Sequence, residues 1–389
     1  MTKQSIITSL LDNDLYKFTM MQAVLHQYPA TQVSYEFTCR NHLKLSSYLS
    51  EIKKEMDSLC HLYFLEDELD FLGSLPFIKS DFIDFLRLFK LDTRFLKITT
   101  KGNALRLIIK GPWLHTILFE VPLLAIISEV YSRNAFPKPN FHQAKDMLEE
   151  KINLIKQYEY RNSYKLTEFG TRRRFSKKWQ KIVVTKLKKA IPENFPGTSN
   201  VLLAKELDIV PFGTMAHEYL QAHQALGPRL VDSQKQALES WVKEYRGSLG
   251  IALTDVVGMK AFFRDFDLYF AKLFDGIRHD SGDPLKWAEM AIKHYKSLKI
   301  DPKSKRFIFS DTLTIPKSIT IHRALHKKAQ VAFGIGTNLT NDLGYKAFQG
   351  VIKMVRCKGQ PVAKISDSPE KLICNSQTYL NYLKKVFHI

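Results

Sequence analysis

A histidine stands where a short apolar run gives out. The stretch Ile209 to Tyr219 reads IVPFGTMAHEY, and its strand-like start stops at Gly213, just before Thr214 and His217. A buried strand that ends this way delivers a polar side chain at its tip before the next helix begins. An imidazole there can act as acid, base or nucleophile near neutral pH, since its reference pKa is about 6.5. Glu218, or a carboxylate from another strand, could orient the ring or hold a positive charge that develops on it. A structural histidine at a helix start would use the same residues, so the other strand ends decide.

Three further stretches carry chemistry. In Gly334-Ile335-Gly336-Thr337-Asn338 two glycines follow a strand pattern. Their N–H groups can approach and cradle a phosphate, although a plain turn has the same composition. In Gly276-Ile277-Arg278-His279-Asp280-Ser281-Gly282-Asp283 the planar fork of Arg278 suits a carboxylate or phosphate. Asp280 and Asp283 there could hold magnesium or ribose hydroxyls, or simply form an ion pair and a helix cap. In Thr167-Glu168-Phe169-Gly170-Thr171-Arg172 an aromatic ring precedes an arginine by three residues. That spacing lets the ring stack on a flat heterocycle while Arg172 meets its charged substituent. No GxxxxGK[ST] motif occurs, which excludes a P-loop kinase.

The elements behind these residues read as two regimes. Residues 1–134 form an α+β domain: Asp12 and Asn13 cap a first helix, 32–39 alternates as a strand, and 46–91 is helical. A hairpin follows over 96–109, turning at Lys101-Gly102-Asn103. From 135 to 350 helical patterns alternate with apolar runs at 201–203, 209–212, 250–253, 274–277, 306–309 and 331–333, which implies βα units and parallel strands. In a closed barrel of this kind functional groups gather at the C-terminal strand ends. The ends here carry Thr198, Ser199, His217, Asp255, Arg278, Asp280, Asp311 and Gly336. The tail, 351–389, is expected to return to the first domain. The fold class is therefore α/β, an irregular parallel βα barrel with an N-terminal α+β domain.

Composition sets the limits. Four scattered cysteines without a CxxC pair argue against a disulfide framework or zinc cluster and suit a reducing cytoplasm. The most apolar region, 105–131, is interrupted by Lys110, Pro112, Glu120 and Pro122, so it reads as buried structure with no membrane role. A net charge of +19 admits nucleic acid or small polyanions as partners. The nine basic residues between Arg172 and Lys189 permit an RNA-binding reading, but Trp179, Ile182, Val183, Val184 and Leu187 make that segment an amphipathic helix with a solvated charged face. An RNA-binding protein would also leave the strand-end residues without purpose, so no nucleic acid is expected.

Together these parts describe a pocket for a sugar phosphate and a flat acid around a histidine. The segments DNDLYKFTM (12–20), EFGTR (168–172), GTSN (197–200), GTMAHE (213–218), RHDSGD (278–283), SDTL (310–313) and FGIGTNL (333–339) run in order along almost the whole chain. In these the chain resembles the bacterial nicotinate phosphoribosyltransferases.

The resemblance implies a type II phosphoribosyltransferase-like barrel that joins nicotinate to phosphoribosyl pyrophosphate in NAD salvage. It also implies coupled ATP hydrolysis through a phosphohistidine at His217 and use of Mg2+, with no acid assigned as metal ligand. Asp255 would orient His217 or a magnesium ion. Tyr16 and Phe169 would sandwich the pyridine, Tyr16 donated by a second subunit where members are dimeric. Arg172 and Arg278 would lie near the nicotinate, Asp280 near the ribose, and Gly336, Thr337 and Asn338 at the 5′-phosphate, with Arg40 and Lys364 as further triphosphate contacts. Relatives that use nicotinamide carry an acid where this chain has Ser199, so nicotinate is favoured over nicotinamide, with nicotinamide or quinolinate transfer as the alternative that a substrate competition assay separates.

Overall fold

The computed structural model describes residues 5–368 and 371–389. Its strands, in chain order, are β1 (Gln32–Cys39), β2 (Leu96–Lys101), β3 (Ala104–Pro112), β4 (Lys165–Glu168), β5 (Gly197–Thr198), β6 (Val210–Pro211), β7 (Ile251–Leu253), β8 (Gly276–His279), β9 (Arg306–Phe309), β10 (Gln330–Ile335), β11 (Gly350–Cys357) and β12 (Gln360–Pro361). They form two sheets. The first, ordered β12-β11-β1-β3-β2, is antiparallel and includes the hairpin expected at 96–109. The tail's β11 pairs with β1 near the middle of that sheet, so the two ends of the chain share one layer.

The second sheet is wholly parallel, ordered β6-β5-β4-β10-β9-β8-β7. Successive strands are neighbours, and the last, β10, pairs with the first, β4. The ring is therefore complete except between β6 and β7. Pro211 gives the reason. The Phe212 amide donates to the Thr198 carbonyl on the β5 side, so by strand alternation the N–H that proline lacks would have faced the seam. Side chains bridge it in place of the ladder, and beside the strands Thr214 Oγ1 donates to the Ile251 carbonyl at 3.0 Å.

The helix Leu15–Gln27 lies against this seam. Its start is stitched to β5 by the Leu15 amide on the Ser199 carbonyl, 2.8 Å, and Thr19 Oγ1 donates to the Thr214 carbonyl, 2.6 Å. A Cβ at Gly213 would meet the Tyr16 amide at 2.8 Å, so only glycine allows this approach. Behind it the helical run Trp113–Ala135 is long and apolar enough to cross a membrane, but 89% of its most apolar 18-residue stretch is buried, which makes it core. Ser128 Oγ donates from this run to the Arg174 carbonyl, 2.7 Å, fixing it beneath the site.

Several sequence expectations need correction. Residues 201–203 are the first turn of a helix, Val201–Leu207, capped by the Asn200 side chain. Three apolar residues cannot distinguish a strand from a buried helical turn. The expected strand at 274–277 is shifted to Gly276–His279, so Arg278 lies within β8. Strands β4 and β5 escape a periodicity reading because β4 has four residues and β5 two. Asp12 and Asn13 do not cap the first helix, whose N-cap is Asp14 without a side-chain bond. Asp12 instead takes a bidentate pair from Arg174, 2.7 and 2.8 Å, with both residues buried. Burial opposes the Asp12 charge, but Arg174 outweighs it and holds the carboxyl below its ordinary pKa.

Removing one partner of such a pair strands a buried charge. Asp12→Ala is therefore expected to lower unfolding free energy by about 3–5 kcal/mol in urea denaturation. A loss under about 1 kcal/mol would show that the pair does not anchor the N-terminus.

Candidate active site

His217 opens the helix His217–Leu226, a few residues beyond β6, and Asp255 follows β7 directly. The two sit on the strands that do not pair, and they meet across the seam: His217 Nε2 lies 2.8 Å from Asp255 Oδ1. The other Asp255 oxygen accepts from Lys364 Nζ, 2.8 Å, and Ser281 Oγ, 2.7 Å. Asp280, past β8, brings Oδ2 to 3.5 Å from His217 Nε2 and 3.8 Å from Lys364 Nζ, while its Oδ1 accepts from Ser310 Oγ at 2.8 Å. Lys371 joins the Asp280 carbonyl to the Asp311 carboxylate.

These charges set the protonation states. Burial, then the Lys364 ammonium, lowers His217 to about 4. Burial works against the Asp255 charge, yet His217 and Lys364 beside it hold its carboxyl well below the usual range. With an ionised Asp255 at Nε2, the ring proton must sit on Nε2 and donate to it. Nδ1 then carries the free lone pair and makes no hydrogen bond among the described residues. That is the state of a nucleophile, or of a base, held ready at neutral pH.

Glu218 plays another part than the ring orientation its position suggests. Its Oε2 lies 2.5 Å from Lys17 Nζ, which also reaches Glu120 Oε2 at 2.6 Å, and Trp113 Nε1 donates to Glu218 Oε1 at 3.4 Å. Lys17 is wholly buried. The sequence shows Glu120 only as an interruption of an apolar region and gives Lys17 no role, although a lone acid opening an apolar helix was the available signal.

A second cluster lies where the N-terminal helix meets β4, β5 and β10. Arg172 is 5.8 Å from the Tyr16 ring, 3.5 Å from Glu120 Oε1 and 3.8 Å from Asp14 Oδ2. Within the single chain, Tyr16 therefore stands beside Arg172. Phe169 hydrogen-bonds through its amide to the Ile335 carbonyl, 2.8 Å, and its ring fills the space where a Gly334 Cβ would stand 2.2 Å away. A Cβ at Gly336 would meet the Phe169 carbonyl oxygen at 2.8 Å, so both glycines serve close approach of β4 to β10. Thr337 and Asn338 begin a short helix, and Asn338 Nδ2 donates to Asp342 Oδ2 at 3.1 Å.

Ser199 Oγ donates to Asp14 Oδ1 at 2.8 Å. A carboxylate therefore stands beside position 199 after all, supplied by another segment. Asp283 caps the helix Pro284–Ser297 and plays no part in the cluster. Cations crowd the same region. Burial, then Arg172 and Arg40, lowers Arg173 to about 10, and burial lowers Lys353 to about 8, with Glu120 opposing. Such crowding is costly unless anions arrive to relieve it.

The profile of the nicotinate phosphoribosyltransferase (NAPRTase) family matches residues 164–389, and that of its N-terminal domain matches residues 11–128. The chain belongs to this family. It is 54% identical to a nicotinate phosphoribosyltransferase of Bordetella petrii over 99% of both chains, and 56% identical to one of Burkholderia mallei over 99% of this chain and 97% of the other. Among solved structures, the nicotinate phosphoribosyltransferase of Vibrio cholerae superposes with a TM-score of 0.96 at 40% identity, covering 100% of this chain and 95% of that one. The enzyme from Porphyromonas gingivalis gives 0.94 at 33%, covering 99% and 100%. The chain is thus an enzyme of the nicotinate phosphoribosyltransferase class, with the mixed α/β fold that the sequence implied.

The electrostatics predict an unusual titration. The His217 ring proton followed by NMR should keep a neutral-imidazole shift from pH 8 to 5 and titrate near 4, and Lys364→Met should move that midpoint upward. A midpoint near 6.5 in the unaltered protein would contradict the burial argument.

Proposed function

We propose that this enzyme, in joining nicotinate to the phosphoribosyl group of phosphoribosyl pyrophosphate, couples the transfer to ATP hydrolysis through His217. One observation carries the reading: the Asp255 bond to Nε2 leaves Nδ1 as the nucleophilic atom. Nδ1 attacks the γ-phosphorus of ATP, the phosphorus–oxygen bond to ADP breaks, and ADP departs with the electron pair. The phosphorylated ring keeps its proton on Nε2, where ionised Asp255 stabilises the imidazolium. Water later cleaves the phosphorus–nitrogen bond. The added negative charge changes affinity for substrates and products, and that linkage drives product formation.

For the transfer itself, the pyridine nitrogen displaces pyrophosphate at the anomeric carbon while positive charge builds on the ribose. In this reading Phe169 and Tyr16 flank the pyridine from within one subunit, and Arg172 and Arg278 meet the carboxylate. Thr198 and Ser199 line the pocket, and Gly336, Thr337 and Asn338 receive the 5′-phosphate. The buried Nε of Arg278 has no hydrogen-bond partner among the described residues, which fits a guanidinium with an N–H to offer an anion.

Magnesium suits one residue best. His217, Asp255 and Asp280 bring ligand atoms within 4.8 Å of one another, but both Asp255 oxygens are engaged. Asp280 Oδ2 is the hard oxygen left to hold the ion, which would neutralise the departing pyrophosphate. A ribose contact is the other use of this carboxylate. The reducing cytoplasm, in keeping with four free cysteines, is the proposed setting.

His217→Ala should abolish ATPase activity and ATP stimulation while leaving a slow ATP-independent transfer. Normal ATP hydrolysis in that variant, or no acid-labile label on residue 217 from γ-labelled ATP, would remove His217 from the role. Ser199→Asp should set a second acid beside Asp14 and raise KM for nicotinate at least about tenfold, since adjacent like charges repel the substrate carboxylate. An unchanged KM would show that position 199 does not face the carboxylate.

A further inference from the structure

Glu168 ends β4 completely buried, and no cation forms an ion pair with it among the described residues. Every group around its carboxylate is a donor. The Gly170 amide and Gln180 Nε2 donate to Oε1, and Thr198 Oγ1, at 2.5 Å, and Gln180 Nε2, at 3.1 Å, donate to Oε2. Thr198 Oγ1 in turn accepts from the Asn200 amide at 3.1 Å, so its own proton is committed to Glu168. The same Gln180 Nε2 reaches Thr171 Oγ1 at 3.1 Å, which also takes a bond from Asn200 Nδ2 at 3.3 Å. One carboxylate therefore ties the loop bearing Phe169 and Arg172 to the loop bearing Thr198 and Ser199.

We propose that Glu168 is a positioning residue for nicotinate, and that its carboxylate must be ionised to lock these two loops around the pyridine. A protonated Glu168 would present an O–H where only donors face it. Thr198 Oγ1 could accept that proton only by turning its own hydrogen away from Glu168, which replaces the charge-assisted bond between the loops with a weaker neutral one. The charged groups around it are Asp14, which raises the cost of ionisation, and the Arg174–Asp12 pair, joined to Glu168 through Gln180 Oε1 at 3.1 Å from Arg174 Nη1. Burial raises Glu168 to about 7, against the hydrogen bonds of Thr198, Gly170 and Gln180. The switch therefore falls at working pH. The inference rests on the placement of nicotinate between Phe169 and Arg172.

The sign follows directly. A raised folded-state pKa means that the ionised, locked form is gained as pH rises through about 7. KM for nicotinate should accordingly rise by about tenfold from pH 8 to pH 6, one hydrogen bond's worth, while KM for phosphoribosyl pyrophosphate changes less than twofold. Glu168→Gln mimics the protonated state. It should show the high KM for nicotinate at every pH, with the step abolished. Gln180→Met keeps the carboxyl and removes one donor, so its step should move to higher pH. It decides the matter if Glu168→Gln does not fold. A wild-type step surviving in Glu168→Gln, an unmoved midpoint in Gln180→Met, or equal effects on both substrates overturns the assignment. Arg172→Ala separates the two readings. If it leaves KM for nicotinate unchanged, the placement of nicotinate is at fault. If it raises that KM while the pH step persists in Glu168→Gln, only the Glu168 inference fails.

Discussion

The missing ladder between β6 and β7 is the constraint around which this molecule is arranged. A parallel ring closed everywhere would satisfy its own backbone and need nothing from outside. Here Pro211 leaves one edge without a donor, and the edge is covered by whatever lies against it. Thr214 supplies one bond, and the helix Leu15–Gln27 supplies the rest of the cover. His217 and Asp255 belong to the two strands that do not meet, so their hydrogen bond is also the contact that joins the edges on the side of the site. A group proposed to gain and lose a phosphate sits where local movement breaks no strand pairing.

The chain's ends are drawn to the same place by charge. Lys17 from the first helix is wholly buried between Glu120 and Glu218, and Lys364 from the tail lies between Asp255 and Asp280. Each ammonium offsets acids that would otherwise be buried unpaired, and each acid fixes an element of the barrel. Removing either lysine would strand carboxylates in low dielectric, a larger cost than the pair contributes on its own. The antiparallel sheet, with β11 beside β1, makes this possible by holding both termini in one layer.

Elements with a clear apolar pattern were legible in the sequence, and strands without one were not. The alternation of Gln32–Cys39 and the hairpin at Gly102 appear as read, because each contains enough residues for a period of two to show. Strands β4 and β5 hold between them one strongly apolar side chain, Leu166, and so show no run, whereas the comparably short β6, β7 and β9 lie within the apolar runs at 209–212, 250–253 and 306–309, and Val201–Leu203, a helical turn, has the same look. Yet these short pieces bear the Phe169 and Ser199 loops. The seven sequence segments marked their chemistry through residue type and order, where periodicity could not. What no segment could disclose is pairing across distance: Lys17 with Glu218, Asp12 with Arg174, and Asp14 with Ser199 join residues more than 150 positions apart.

That last pair changes how selectivity is read. A serine at 199 in place of an acid favours an anionic substrate only if no other carboxylate fills the gap. Asp14 fills it, hydrogen-bonded to Ser199 and 3.8 Å from Arg172. Burial raises the Asp14 carboxyl while Arg172 and Ser199 pull it down, so its charge depends on the groups that would meet the ligand. Arg172 is shared in turn with Glu120 and Tyr16. A substrate carboxylate arriving at Arg172 competes with Asp14 and Glu120 for one guanidinium. In the proposed reading, the preference for an anion then follows from the cations beyond that pair, Arg173 and Lys353, each buried and each repelled by Arg172, a strain that an incoming negative charge relieves. On the proposed reading, specificity is a property of the whole buried charge set, to which the residue at 199 is joined through Asp14.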